Sequence, residues 1–280
     1  MTVGADKPRP RYFMRREVLN TFNSYEFTFA GESSAMYGLM IYDFGGISQD
    51  KVSFGNTASI VESRTNNRIR PIHFGVNYHK SPLQFKLVFG SSRALDRYEM
   101  ESISMWLTGH QNYQWLSIDQ PDLSHVEFHC LVTRLTPLHH GWLPVAFEAT
   151  VLCDCPYAYG LPFEYNYQID GTYDILIRNN SSVREYIKPT IKFQPKSGGF
   201  LQIFNHNDNN REFLLESLPY STVILVDNEN CIIRDEEYGY NLYGSFNMNF
   251  FRLVQGDNNL TVSAKGLLTI SGRFLHNVAG

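Results

Sequence analysis

Through the second half of the chain, apolar and polar residues alternate in short runs. They read YDILIRN from Tyr173, KPTIKF from Lys188, GFLQIFN from Gly199, REFLLES from Arg211, TVILVDNENCIIRD from Thr222, NFFRLV from Asn249, NNLTVSA from Asn258 and GLLTISGRF from Gly266. A period of two puts successive side chains on opposite faces of an extended strand, whereas a helix needs apolar residues three and four apart. Asn, Asp and Gly separate the runs, and these are the residues that turns demand. VDNENC, Val226 to Cys231, reads as a hairpin turn. Short strands at this spacing predict a β-sandwich, and no helix is expected in this half.

The first half carries the same signal with one interruption. YEFTFAG from Tyr25, MYGLMIYDFGG from Met36 and HFGVNYHKSPLQFKLVFG from His73 read as strands. Between them, residues 47–70 are polar and read as a long loop or an extended hairpin, a length that usually has a job. The period then changes. In ALDRYEMESISMWLTG, Leu95, Tyr98, Ile103, Trp106 and Leu107 fall at helical spacing, with Ser91 or Ser92 as a start and Gly109 as a stop. Strands return in HVEFHCLV, where Val126, Phe128, Cys130 and Val132 share a face, and in AFEATVLCDC, where Phe147, Ala149, Val151, Cys153 and Cys155 do.

PYAYG, Pro156 to Gly160, closes this half, so a domain boundary is expected near residues 160–168. The organisation predicted is an arm over residues 1–24, a mainly β domain with one α-helix over 25–162, and a β-sandwich over 163–280. A chain of 280 residues suffices for two ordinary domains. Its 17 Tyr and 20 Phe favour strands and leave aromatic area for subunit contacts. The arm is basic, with Lys7, Arg9, Arg11, Arg15 and Arg16, and Pro8 and Pro10 block regular structure. It reads as a solvated tail or as an arm draped over a neighbouring subunit.

A net charge of −4 gives no reason to expect bulk nucleic-acid binding. No stretch has the length of a signal peptide or of a membrane span, so synthesis in a cytoplasm is expected and the four cysteines are expected as thiols. Cys153 and Cys155 are one residue too close for a redox C-x-x-C pair, and read as core thiols. His125, Glu127 and His129 share the polar face of a strand and read as a solvated or interface face rather than as metal ligands. His139 and His140 read as a turn. The run Asp235, Glu236, Glu237 reads as a solvated loop, because adjacent carboxylates cannot straddle a sugar. No G-x-S-x-G, GxxxxGK[ST] or H-E-x-x-H motif occurs. No catalytic residue, cofactor or metal is therefore expected. Tyr238, Tyr240 and Tyr243, in EYGYNLYG, are the candidates for glycan or partner contact, and Arg64, Arg68 and Arg70 for a subunit contact.

Several segments follow one another in a definite order: FTFAGESSAMYGLMI, LQFKLVFG, the helix ending MWLTG, and FEATVLCDCPYAYG in the first half; IRNNSSVREYIKPTIKF, VILVDNENCIIRD and FFRLVQGDNNLTVSAKG in the second. In that order, over residues 25–275, the chain resembles the distal tail proteins of long, non-contractile-tailed bacteriophages. The arm before Asn23 departs from the pattern. The resemblance implies a β-barrel or split-barrel-like N-terminal domain with one helix and a galectin-like C-terminal β-sandwich. It implies a homo-hexameric ring in the phage tail, assembled in the host cytoplasm. The ring's partners would be the tail tube protein, the tail-tip or baseplate hub protein and a receptor-binding protein, with neither a membrane nor a specific nucleic-acid sequence. It implies no catalysis. The alternative reading is a carbohydrate-binding module for bacterial surface glycans.

Overall fold

The computed structural model describes residues 26–44, 57–65, 69–79, 81–121, 123–196, 199–220, 222–237 and 239–278. The basic arm, Arg68 and Tyr238 lie outside the described residues. The first half runs through β1 (Phe27–Phe29), β2 (Glu32–Ser33), β3 (Met40–Phe44), β4 (Thr57–Ser63), β5 (Ile72–His79) and β6 (Gln84–Gly90). Helix α1 (Arg97–Thr108) follows, then β7 (Gln114–Ile118), β8 (Val126–His140), β9 (Leu143–Cys153) and β10 (Ala158–Gly160). Most of these strands join one antiparallel sheet in the order β2-β1-β7-β8-β9-β6-β3, while β4 and β5 pair only with each other.

The alternation in β8 and β9 works as the sequence predicts. Val126, Phe128 and Cys130 are buried beside Phe147, Ala149, Val151 and Cys153. Cys130 stands directly opposite Cys153 in register, and all four cysteines are free. The helix closes this core. Trp106 donates its indole N–H to the Phe29 carbonyl at 3.0 Å and stacks on Tyr37 at 4.6 Å and on Phe27 at 5.6 Å. Two details of the helix differ from expectation. Its N-cap is Asp96, not Ser91 or Ser92: Asp96 accepts from the Glu99 N–H while Glu99 accepts from the Asp96 N–H, a reciprocal capping box. Tyr98 faces solvent, because Met100, Ile103 and Leu107 form the inward stripe.

The second half comprises β11 (Phe163–Asn179), β12 (Thr190–Pro195), β13 (Gly199–Asn205), β14 (Arg211–Leu218), β15 (Ile224–Asp227), β16 (Ile232–Asp235), β17 (Gly256–Gly272) and β18 (Leu275–His276). The fold is mainly β with one α-helix among the described residues. Strand β17 organises this half. Its Leu260–Ala264 segment pairs with β13, its Gly266–Ser271 segment pairs with β12, and β11 follows it along its whole length. The switch of partner falls at Gly266, where an added Cβ would lie 2.3 Å from the Gln194 carbonyl oxygen, so only glycine fits. Inward side chains of β12, β13, β14, β15 and β17 meet in one core around Ile191, Phe193, Ile203, Phe213, Val226 and Val262. Full burial of each such side chain is worth about 1.5–3 kcal/mol.

The VDNENC turn forms as read, joining β15 to β16 with Asp227 opposite Ile232. Of the acidic run that follows, Glu236 and Glu237 stay exposed, but Asp235 does not. Asp235 is buried and accepts from the Thr222 hydroxyl at 3.2 Å, the Glu237 N–H at 2.8 Å and the Tyr240 N–H. A carboxylate that collects backbone N–H groups can nucleate a tight turn, and this one serves the chain as it leaves β16.

Candidate assembly interface

Strand β3 ends and β6 begins at one end of the first sheet, where Phe44 pairs with Leu87 and Gln84 with Leu152. The β4–β5 hairpin emerges there. Ile60 faces Val76 across it, and a bulge at Val61 and Glu62 lies against Gly75, whose φ of 147° favours glycine. Apolar side chains on both strands stand in solvent: Ile60 is 64% exposed, Phe74 66%, and Val61, Ile72 and Val76 more than a third. A two-stranded hairpin is marginal in water, and a cluster of exposed aliphatic and aromatic groups marks a contact surface. Of the 47–70 segment, the described residues 57–63 form the first strand of this hairpin, whose second strand lies beyond it at Ile72–His79; residues 47–56 and 66–68 lie outside the described residues.

The opposite end of the sheet, where Met40 pairs with Gly90 and Gly90 with Ala146, carries a second knob. The β8–β9 turn passes through Gly141 at φ 63° and presents Trp142, 97% exposed, with Leu143 beside it. Two apolar tips therefore project from opposite ends of one sheet.

A third feature is the seam between the halves. Strand β18 returns to the first half, with His276 opposite Ala158 on β10. Arg273, just before it, donates to Glu127 at 2.5 Å and to the Gly160 carbonyl at 3.1 Å, and its guanidinium lies 3.8 Å over the Trp115 ring. The His125 and His276 rings meet edge to face at 5.7 Å. Burial, with help from His125, holds the His276 pKa below the usual imidazole value. Beside the seam opens a cleft of about 920 Å³, lined by Trp115, His129, Asp154, Phe163, Tyr186 and Arg273 among others. In it Asp154 meets His129 Nδ1 at 2.6 Å and accepts from the Tyr159 hydroxyl at 3.1 Å. Burial pushes the Cys155 thiol up to about 11, so it is a thiol rather than a nucleophilic thiolate at neutral pH. Burial likewise raises the Tyr159 phenol. The chemistry of this cleft is that of a braced joint.

The sequence candidates fall as follows. Arg64 and Arg70 flank the hairpin tip, and Arg64 is ion-paired with Glu62 at 2.9 Å while remaining exposed. Tyr243 spends its hydroxyl inside the fold, accepting from the Ile233 N–H and donating to the Cys231 carbonyl, each at 3.1 Å. Tyr240 is half exposed and donates its backbone N–H to Asp235. His125 and Glu127 are indeed interface groups, but the interface is the seam. No group of metal-ligating side chains occurs among the described residues. Sequence reasoning missed Trp142, whose Gly-Trp at a turn was a readable signal, and Arg273, for which the local pattern holds none.

Two family models match, one describing a phage tail protein N-terminal domain over residues 22–155 and one a phage tail C-terminal domain over residues 157–271. No curated protein matches. Among solved structures, the chain shares its fold with the SPP1 Dit (gp 19.1) protein, described as a paradigm of the hub adsorption apparatus in phages infecting Gram-positive hosts. The TM-score is 0.64 at 10% identity, over 90% of this chain and 99% of that one. A chain of the phage P2 baseplate in its activated conformation matches with a TM-score of 0.50 at 11% identity, over 89% and 97%. With both of its halves covered by the two family models, the chain belongs to the phage tail protein family, and it has the fold of SPP1 Dit.

Proposed function

We propose that this chain is a distal tail protein that closes into a six-membered ring between the tail tube and the tail-tip or baseplate apparatus. Residues 25–162 build the ring and residues 163–280 project from it. The observation that carries the reading is the pair of apolar tips at opposite ends of the first sheet. A ring needs a heterologous contact, in which one patch of a subunit meets a different patch of its neighbour. The β4–β5 hairpin supplies such a patch, because its apolar groups have no cover within the described part of their own chain. The exposed Trp142 tip fits the axial contact with tube or hub. The likeness to SPP1 Dit along nearly the whole of both chains supports the same reading.

In this reading the protein acts by holding partners in register, within the virion. Its partners are copies of itself, the tube protein, the hub protein and a receptor-binding protein. Among the described residues no helix is long and apolar enough to cross a membrane. The sugar-binding alternative loses support from Tyr243, whose hydroxyl is already used within the fold. Electron microscopy of the purified protein tests the proposal: six-fold rings with a central channel are expected. Images of single compact particles at every concentration would overturn it.

A further inference from the structure

Strand β11 is an open edge. It pairs with β17 through all of Phe163–Asn179, and among the described residues no strand lies on its other side. Its free backbone groups can be assigned. The carbonyls of Asn259 and Lys265 accept from the His206 and Lys196 N–H groups, so odd-numbered residues of β17 face β12 and β13. Even-numbered residues of β17 therefore face β11, and through the register they pair with odd-numbered residues there. On β11, Glu164, Asn166, Gln168, Asp170, Thr172, Asp174, Leu176 and Arg178 consequently turn their N–H and C=O outward. A row this long and this unprotected is a template for another strand.

Two further observations say what that strand looks like. On the core side of β11, Phe163, Tyr165, Tyr167 and Ile175 are only partly covered and Tyr173 is 47% exposed, while Ile169 and Ile177 are buried. A pocket of about 320 Å³ reaches from Gly171 and Thr172 on β11 across β17 to Gly199 and Phe200 on β13. A strand added here covers this aromatic row with apolar side chains at alternate positions. On the solvent side, Glu164, Asp170 and Asp174 outnumber the single Arg178, so the strand's other positions favour cations.

We infer that the N-terminal arm of a neighbouring copy adds to the free edge of β11 as a further antiparallel or parallel strand. The inference rests on the assembly reading above. The arm brings much of the required chemistry at a period of two: Tyr12, Met14, Val18 and Phe22 share one face, with Arg16 and Asn20 among them, and Arg11 and Arg15 lie on the other, with Phe13, Glu17 and Leu19. Its prolines stop at Pro10, so residues 11–24 can all donate to a ladder. At about 3.3 Å per residue that segment spans roughly 45 Å, comparable to β11 itself.

Hydrogen exchange on the full chain and on a variant lacking residues 1–24 tests this, with the mass of each species measured in parallel. Amides of Asn166, Gln168, Asp170, Thr172 and Asp174 are expected to exchange at least tenfold more slowly in the assembled full chain than in the truncated one. Asp170→Pro in the full chain removes one outward N–H and one acid at an edge position that tolerates proline. It is expected to lose the protection while keeping its melting temperature. Equal exchange in the full and truncated chains, or protection unchanged in D170P, would overturn the inference and leave the ring reading standing. Protection already present in a monomer would assign the arm to its own chain and overturn the role of the neighbour.

Discussion

Replacing Arg273 with alanine should loosen the joint between the two halves without unfolding either. The side chain does three things there: it donates to Glu127, donates to the Gly160 carbonyl and covers Trp115. Arg273 and Glu127 are both about four-fifths buried, with side-chain exposures of 20% and 23%. A hydrogen bond to a charged group contributes about 1.5–3 kcal/mol, and a partly desolvated cation over an aromatic ring about 1–2 kcal/mol. The terms share one side chain and do not add in full. A net loss of roughly 3 kcal/mol follows, about a hundredfold in the docking equilibrium. The Gly160 N–H, bonded across the seam to the Phe274 carbonyl at 2.7 Å, reports on it directly. Its hydrogen exchange in R273A should accelerate about a hundredfold, while amides in the centre of β8 and β17 stay protected. R273K keeps the charge but loses the planar fork, and should fall between. Exchange at Gly160 within twofold of the parent would refute the account of the seam.

Three other outcomes are expected. The His276 pKa is lowered in the folded chain, so the seam's stability is full above the ordinary imidazole value of about 6.5 and declines as pH falls below it. Protection at Gly160, taken relative to the intrinsic amide exchange rate at each pH, should fall between pH 7.5 and 5.5 and should not do so in His276→Gln; the facing His125 repels the incoming proton in the same direction. Gly266→Ala should destabilise the second half by about 1–3 kcal/mol, because its Cβ has no room against Gln194 and Phe193, and denaturant titration would show it. Ile60→Ser with Phe74→Ser should leave the monomer's stability within about 0.5 kcal/mol, since both groups are exposed, yet reduce assembly at least tenfold by sedimentation.

What the sequence shows, and what it hides, follows from the range of each interaction. The alternation in HVEFHCLV fixes which side chains of β8 are buried, because a half-covered sheet enforces a period of two. The helix is readable from its 3.6 period and from Gly109, and its true cap was readable too, since Asp96 and Glu99 have capping-box spacing. Tyr98 misled because an amphipathic aromatic fits either face of a helix. Asp235 misled because a buried carboxylate and a solvated one look alike until the turn's N–H groups are placed around it. Arg273 and Glu127 are 146 residues apart, and the open edge of β11 is a property of topology. Neither leaves a trace in local pattern. The assembly surfaces are the least legible part for that reason: an exposed Trp142 differs from a buried one only in what lies around it.

The most direct test of the central claim is the mass of the purified protein in solution, by light scattering across a wide concentration range. A hexameric ring predicts a species at six times the 32.3 kDa of one chain, dissolved by I60S/F74S. A single-chain mass at every concentration, alone and with the tube protein added, would contradict it.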